Sequence, residues 1–215
     1  MSSTRTVVFL HGMGESAQVW DEQRAGLPEE YDSLAVELLG PADSDRPFEF
    51  TLDGAVQHVL ERIRPHTADR VHLCGAALGA MVALQFALDH PQRVRSLTLA
   101  AGLVKPMRVR MAIHGALFRL LPASALEQRG SSKDLMLSVM RVVGRTDFSH
   151  RLGDVSVPTL VLCGENDRPG MPAAQALASG IRGARLQVVP GAGHRSHADA
   201  PEAFQELLED FLARV

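Results

Sequence analysis

The stretch VHLCGAALGAMVAL, residues 71–84, decides the fold of this 215-residue chain. It opens with a short apolar run, as a buried strand does, and continues with residues that are apolar nearly all round a helix. Gly75 and Gly79 stand at the junction, where glycine lets a strand and a helix approach closely. A strand that turns sharply into a helix through Gly-x-x-x-Gly has the shape of the nucleophile elbow, Gly-x-Ser-x-Gly. The central position of this elbow is Ala77.

Short apolar runs alternate with helical patterns along the rest of the chain. The patterns predict strands at residues 6–10, 33–39, 70–74, 94–100, 159–163 and 185–189, and helices at residues 52–63, 78–88, 172–180 and 201–212. Nearly continuous apolar strands that alternate with helices indicate a parallel sheet covered on both faces. We therefore predict an α/β fold with a mostly parallel sheet.

One segment is too long for a simple crossover between two strands. Residues 103–150 have a helical pattern rich in Met, Leu and Arg, and we interpret them as a short helical cap over the carboxyl edge of the sheet. The core then consists of residues 1–102 and 151–215. Two interpretations of the cap methionines remain open, a small satellite core or one wall of a substrate cleft.

Composition and charge argue against several classes of protein. Hydrophobic residues make up 46% and charged residues 22% of the sequence, which is typical of a globular domain. A formal net charge of −3, without a long basic run, argues against a nucleic-acid partner. The apolar run 7–10 is too short for a signal peptide or a membrane span, so we expect a cytoplasmic protein with no membrane partner. Cys74 and Cys163 lie within predicted strands, and we expect buried free thiols.

Three further motifs each follow a predicted strand. The segment His11-Gly12-Met13-Gly14 comes directly after the first strand. Asp167 follows the strand at 159–163, and His194 lies in a glycine-rich loop after the strand at 185–189. The order along the chain is nucleophile position, acid, histidine, which differs from the orders of the two other well-known serine triads.

With these four motifs the chain resembles the α/β-hydrolase fold family over nearly its whole length. The resemblance implies a mostly parallel sheet that starts at what is usually the third strand, with the cap inserted after the sixth. It implies that Ala77 occupies the nucleophile position, Asp167 that of the acid and His194 that of the base. The backbone N–H groups of Met13 and Leu78 match the oxyanion hole.

Other roles for these residues fit the pattern less well. Asp167 could be a turn residue, and Glu165 is a rival acid two residues closer to the strand. His194 and His197 are spaced like a metal pair, but no third ligand cluster is visible, so we expect no metal. His11 is expected to orient the backbone of its loop rather than to transfer protons.

The sequence says less about the substrate. An apolar cap with a single Trp and a single Tyr in the chain favours a mainly aliphatic cleft for a small acyl compound. We expect the substrate-binding residues to be Gly12, Trp20, Met107 and Met111. Whether the bond is that of an ester, a thioester or a lactone stays open, and so does the oligomeric state. The Gly12-x-Gly14 pair lacks the further glycine and acidic context of a dinucleotide site, so no cofactor is expected.

Alanine has no hydroxyl, so no acyl-enzyme can form at residue 77. Loss of a triad serine lowers kcat by on the order of 10⁶. Three hypotheses follow: a serine hydrolase made inactive by a deliberately introduced Ala77, a natural non-hydrolytic enzyme, or a catalytically silent ligand-binding protein. In the second, His194 would serve a lyase, isomerase or cyclase as general acid/base. The first is favoured because every other triad element is present.

Overall fold

The computed structural model describes residues 5–39, 50–105 and 133–215. Over these ranges, six strands form one parallel sheet in the order β2-β1-β3-β4-β5-β6. The strands are β1 (Arg5–Leu10), β2 (Tyr31–Val36), β3 (Val71–Ala76), β4 (Val94–Ala100), β5 (Thr159–Gly164) and β6 (Arg185–Val189). The predicted α/β fold with a parallel sheet is confirmed.

Helices cover both faces of this sheet. In the described part of the chain they are α1 (Asp21–Ala25), α2 (Leu52–Ile63), α3 (Leu78–Asp89), α4 (Lys133–Val143), α5 (Met171–Gly180), α6 (Ser196–Asp199) and α7 (Pro201–Leu212). One hydrophobic cluster joins β3 to α2, α3, α4 and α5 through residues such as Leu73 and Met81. A second cluster, on the opposite face, contains Cys74 of β3 and Phe204 of α7. Leu73 and Cys74 point to opposite faces because side chains alternate along a strand.

Most predicted element bounds agree with the structure, and β2 is the clearest exception. The predictions for 52–63, 94–100, 185–189 and 201–212 coincide with α2, β4, β6 and α7. Strand β2 begins at Tyr31 rather than at residue 33 and ends at Val36 rather than at residue 39. It is an edge strand that pairs only with β1 among the described strands, so polar residues such as Asp32 and Ser33 are tolerated and apolar patterning misplaces its start.

The helix α1 is absent from the sequence prediction. It has five residues, and four of them, Asp21, Glu22, Gln23 and Arg24, are charged or polar. A segment this short and polar shows no helical apolar repeat. Its position follows from packing, because Gln23 is buried and its side-chain amide donates to the backbone oxygen of His197 at 3.0 Å.

The predicted cap is described only in part. Residues 106–132, which include Met107 and Met111, lie outside the described residues. The remainder contains α4, which packs Val139 and Val143 into the larger hydrophobic cluster. The division into a core of residues 1–102 plus 151–215 and a cap of 103–150 stays a prediction. None of the described helices has the length and apolar character needed to cross a membrane.

Candidate active site

Ala77 occupies a strained turn between β3 and α3. Its φ of 48° and ψ of −105° lie outside the regions that residues with a Cβ normally adopt. Two backbone hydrogen bonds hold it there: Ala77 N–H donates to the oxygen of Ala100 at 2.9 Å, and its own oxygen accepts from Met81 N–H at 3.2 Å. Such strain, on the order of 1–3 kcal/mol, persists only where the surrounding structure enforces it.

The two glycines of the elbow are required by close backbone contacts. A Cβ on Gly75 would lie 2.3 Å from the backbone oxygen of Gly79. A Cβ on Gly79 would lie 2.0 Å from the backbone oxygen of Leu10, on the neighbouring strand β1. Both distances are far below van der Waals contact, so the Gly-x-x-x-Gly spacing packs the first turn of α3 against two strands.

His194 and Asp167 form a hydrogen-bonded pair. His194 Nδ1 lies 2.8 Å from Asp167 Oδ2, and Asp167 Oδ1 accepts from Gly170 N–H at 3.0 Å. The Asp167 carboxylate is only 6% exposed, whereas the His194 ring is 57% exposed. A carboxylate at Nδ1 stabilises the tautomer with its proton on that nitrogen, which leaves Nε2 as the proton acceptor.

Backbone contacts join the loop of Asp167 to the loop of His194. Glu165 N–H donates to the oxygen of Val189 at 3.0 Å, and Asn166 N–H donates to that of Ala192 at 2.8 Å. The exposed side chain of Glu165 accepts from Gly191 N–H at 2.8 Å. Glu165 therefore supports the histidine loop from outside, and Asp167 is the carboxylate that contacts the imidazole of His194.

Two adjoining cavities meet above the elbow. Met13, Ala77 and His194 line both the larger one, of about 830 Å³, and the smaller one, of about 160 Å³. Gly12 lines the larger cavity, and Leu78 lines the smaller. The structure therefore brings together the residues expected to supply the nucleophile position, the base and the oxyanion-hole amides.

The position of Leu78 at the start of its helix makes its backbone N–H available to a ligand. Leu78 is the first residue of α3, and the first N–H groups of an α-helix have no partner within the helix. The N-cap, Ala77, makes no side-chain cap hydrogen bond. The helix dipole adds partial positive charge at this end, which suits an oxyanion.

Trp20 is not brought to the cleft. Its side chain is fully buried, with its ring centroid 4.5 Å from that of His197 and 5.1 Å from that of Phe9. Instead, two methionines of α4 reach the cavities: Met136 lines the larger and Met140 the smaller. This favours the interpretation of the cap methionines as one wall of the cleft.

His11 and Cys74 have structural surroundings. His11 is fully buried, its Nδ1 donates to the oxygen of Gly12 at 2.8 Å, and its Nε2 accepts from Leu38 N–H at 3.0 Å. These bonds orient the loop backbone, as expected. Cys74 is buried on β3, where desolvation raises the pKa of its thiol well above the usual range, so it is unsuited to act as a thiolate nucleophile.

Sequence reasoning missed Glu15, a residue of the larger cavity. Its Oε2 accepts from Gly12 N–H at 2.9 Å, and its Oε1 lies 2.7 Å from Arg195 Nε and 3.4 Å from His197 Nε2. Burial alone would raise the pKa of Glu15. The neighbouring imidazole of His197, followed by the bonds from Arg195 and Gly12, outweighs burial and lowers this pKa to about 2. No local motif marks a lone glutamate, so only its distant contacts reveal it.

Comparison with known proteins gives consistent results. The model of the alpha/beta hydrolase family matches residues 7–207. The "Putative carbamate hydrolase RutD" of Variovorax paradoxus is 28% identical, over 97% of this chain and 92% of that protein. A pimeloyl-(acyl-carrier protein) methyl ester esterase of Neisseria meningitidis is 28% identical, over 99% of this chain and 78% of that protein. The crystal structure of a hydrolase from Pseudomonas aeruginosa PA01 matches with a TM-score of 0.85 and 23% identity, over 99% and 91% of the two chains.

Proposed function

The chain belongs to the alpha/beta hydrolase family, and we propose that its cleft binds a small, largely apolar acyl compound at a serine-hydrolase site that lacks its serine. The observation that carries this proposal is the strained backbone of Ala77, which lies in the same two cavities as His194. Strained non-glycine residues cluster at active sites and ligand-binding sites. A hydroxyl on Cβ of residue 77 would project into the cleft beside the imidazole.

With serine at residue 77, each group would have a defined role. The hydroxyl would attack the acyl carbonyl while His194 takes its proton, and Asp167 would stabilise the imidazolium. The N–H groups of Met13 and Leu78 would hold the oxyanion, and water would then release the acyl group. With Ala77 in place, the same cleft binds the ester, thioester or lactone and cannot form the acyl-enzyme.

The relatives support acyl chemistry of this kind. One is named for a carbamate and another for a methyl ester. Both compounds have a carbonyl carbon bonded to a heteroatom, and hydrolysis of either passes through an oxyanion. An oxyanion hole beside a general base serves both reactions.

The variant Ala77→Ser tests the proposal directly. Because the serine completes the constellation, we expect hydrolysis of p-nitrophenyl esters or acyl thioesters to rise by at least about 10³ in kcat, with inactivation by serine-directed reagents. Release of p-nitrophenol or free thiol measures the rate. The matched control is Ala77→Gly, which accepts the same backbone angles and has no hydroxyl. Equal rates for the two variants across the panel would contradict the proposal.

A second candidate needs no serine, because His194 itself acts as general acid/base on bound substrate or water. The observation that favours it is the complete His194–Asp167 pair, at 2.8 Å, beside a residue that has no hydroxyl. In that case the chain with Ala77 turns over a substrate, His194→Ala abolishes the reaction, and serine-directed reagents have no effect. If ligand affinity alone survives both His194→Ala and Ala77→Ser, the cleft serves binding only.

A further inference from the structure

Glu15 connects two loops that lie 180 residues apart in the sequence. We call residues 11–16 the oxyanion loop and residues 190–197 the histidine loop. The carboxylate of Glu15 is 11% exposed and accepts hydrogen bonds from both loops, from Gly12 N–H at 2.9 Å and from Arg195 Nε at 2.7 Å. Charge-assisted bonds of this length are about twice as strong as neutral ones.

At the oxyanion loop, Glu15 closes the turn that contains Met13. Glu15 N–H donates to the oxygen of Gly12 at 3.3 Å, while Glu15 Oε2 accepts from Gly12 N–H. Gly14, the third residue of this turn, has a φ of 79°, which is typical of a type II turn. Reciprocal bonds between residues 12 and 15 therefore determine where the N–H of Met13 points.

At the histidine loop, Glu15 contacts the residue that directly follows His194. The Arg195 side chain is 57% exposed, and its Nε contacts the carboxylate of Glu15. His197 provides a second contact, with its Nε2 3.4 Å from Glu15 Oε1. The His197 ring is buried and stacks on Trp20, which anchors this end of the bridge in the core.

We propose that Glu15 is a positioning residue that fixes the Met13 amide and the His194 imidazole relative to each other across the cleft. The two groups have to address the same carbonyl, and errors of about 1 Å in such an arrangement can cost 10²-fold in rate. This inference rests on the proposed function, because it assumes that both groups act on one acyl compound.

The first test uses the Ala77→Ser chain and adds Glu15→Gln. In glutamine, an NH₂ group replaces one of the two carboxylate oxygens. This NH₂ has to face one of the two donors, Gly12 N–H or Arg195 Nε, so one of the two hydrogen bonds is lost. We expect kcat to fall about 10- to 100-fold, while KM for a p-nitrophenyl ester changes less than about 3-fold. The control is Glu61→Gln, an exposed carboxylate of α2 that accepts from the side chain of Gln57 at 2.8 Å. It should leave kcat unchanged.

A double-mutant cycle asks whether the effect passes through Arg195. If Glu15 acts by holding the histidine loop, then Arg195→Met lowers kcat as well, and the double variant is no slower than the slower single variant. If the kcat of the double variant instead fell by the product of the two single losses, the two residues would act independently, and this would contradict the bridge. An unchanged kcat with a lower Tm for Glu15→Gln would also overturn the proposal, because it would leave Glu15 with a purely structural role.

The second test needs no catalysis and uses the chain with Ala77. Glu15→Gln should speed hydrogen exchange of the Gly12 amide and shift the ring NMR resonances of His194, whereas Glu61→Gln should alter neither. If Ala77→Ser shows no hydrolysis but Glu15→Gln has these two effects, the proposed function fails and the bridge stands. If the exchange rate and the ring resonances stay unchanged, the proposed bridge is wrong whatever the activity.

Discussion

Ala77 keeps a backbone conformation that alanine adopts only under constraint, with φ at 48°. In a serine hydrolase such an angle presents the nucleophile to the substrate. In this chain the residue at this angle has a side chain that ends at Cβ. The neighbours of Ala77 in the fold hold its backbone at this angle. Strands β3 and β4 are paired up to Ala76 and Ala100, and α3 begins at Leu78, directly after Ala77.

The strain at Ala77 predicts a stability gain from glycine. Glycine accepts positive φ without the clash of a Cβ, so Ala77→Gly should raise the free energy of unfolding by about 1 kcal/mol. Urea unfolding followed by circular dichroism measures this change. Ala83→Gly, in the interior of α3 and fully buried, is the sign control and should lower stability by about 1 kcal/mol or more. A loss of stability in Ala77→Gly would show that the angle is not strained.

The elbow as an element depends on contact between backbones. Gly79 places the first turn of α3 against β1. If residue 79 had a Cβ, the nearest atom to it would be the backbone oxygen of Leu10. Backbone in the centre of a sheet has little freedom to move aside. The same contact brings the oxyanion loop, which follows β1, next to Ala77.

We therefore expect Gly79→Ala to destabilise the protein by about 3 kcal/mol, because a Cβ 2.0 Å from the Leu10 oxygen forces α3 away from β1. Thermal unfolding measures the effect as a lower Tm. The matched variant is Gly153→Ala. Beyond its chain neighbours, no atom of the described residues lies within 4 Å of the Cβ position of Gly153, so stability should change by less than about 0.5 kcal/mol. Similar losses in both variants would refute the role assigned to the close approach.

For the molecule as a whole, stability should fall in acid because of His72 on β3. His72 is 1% exposed, and its Nδ1 lies 2.8 Å from Ser96 Oγ. Burial, followed by the charges of Arg95 and Arg5, lowers the pKa of His72 from 6.5 to about 4. The unfolded chain therefore binds this proton more readily than the folded one. The contribution to stability is complete above pH 6.5 and is lost as pH falls through that value towards 4.

The loss should amount to about 3 kcal/mol, since each pKa unit corresponds to about 1.4 kcal/mol. Urea unfolding at several pH values between 7 and 4, compared between the chain and His72→Gln, isolates the share of this residue. The variant, which cannot titrate, should have a flatter dependence over that window. Parallel curves would mean that His72 keeps an ordinary pKa in the folded state.

Local patterns in the sequence determined the parallel α/β sheet, the elbow around Ala77, and Asp167 and His194 as candidate partners. Apolar periodicity and glycine spacing report on each segment's immediate surroundings, so neighbouring residues are enough to predict such features. Apolar periodicity misplaces the start of β2, because the polar residues of an edge strand weaken it.

Only the tertiary structure decided which side chains meet across the cleft. It placed Trp20 in the core against His197, and it joined Glu15 to Arg195 across 180 residues. The sequence around a tryptophan near a loop is the same whether its side chain faces the core or the cleft. A single glutamate has no local sequence pattern that marks its role. Such contacts arise because parallel strands bring their carboxyl ends to one edge of the sheet, where loops distant in sequence become neighbours.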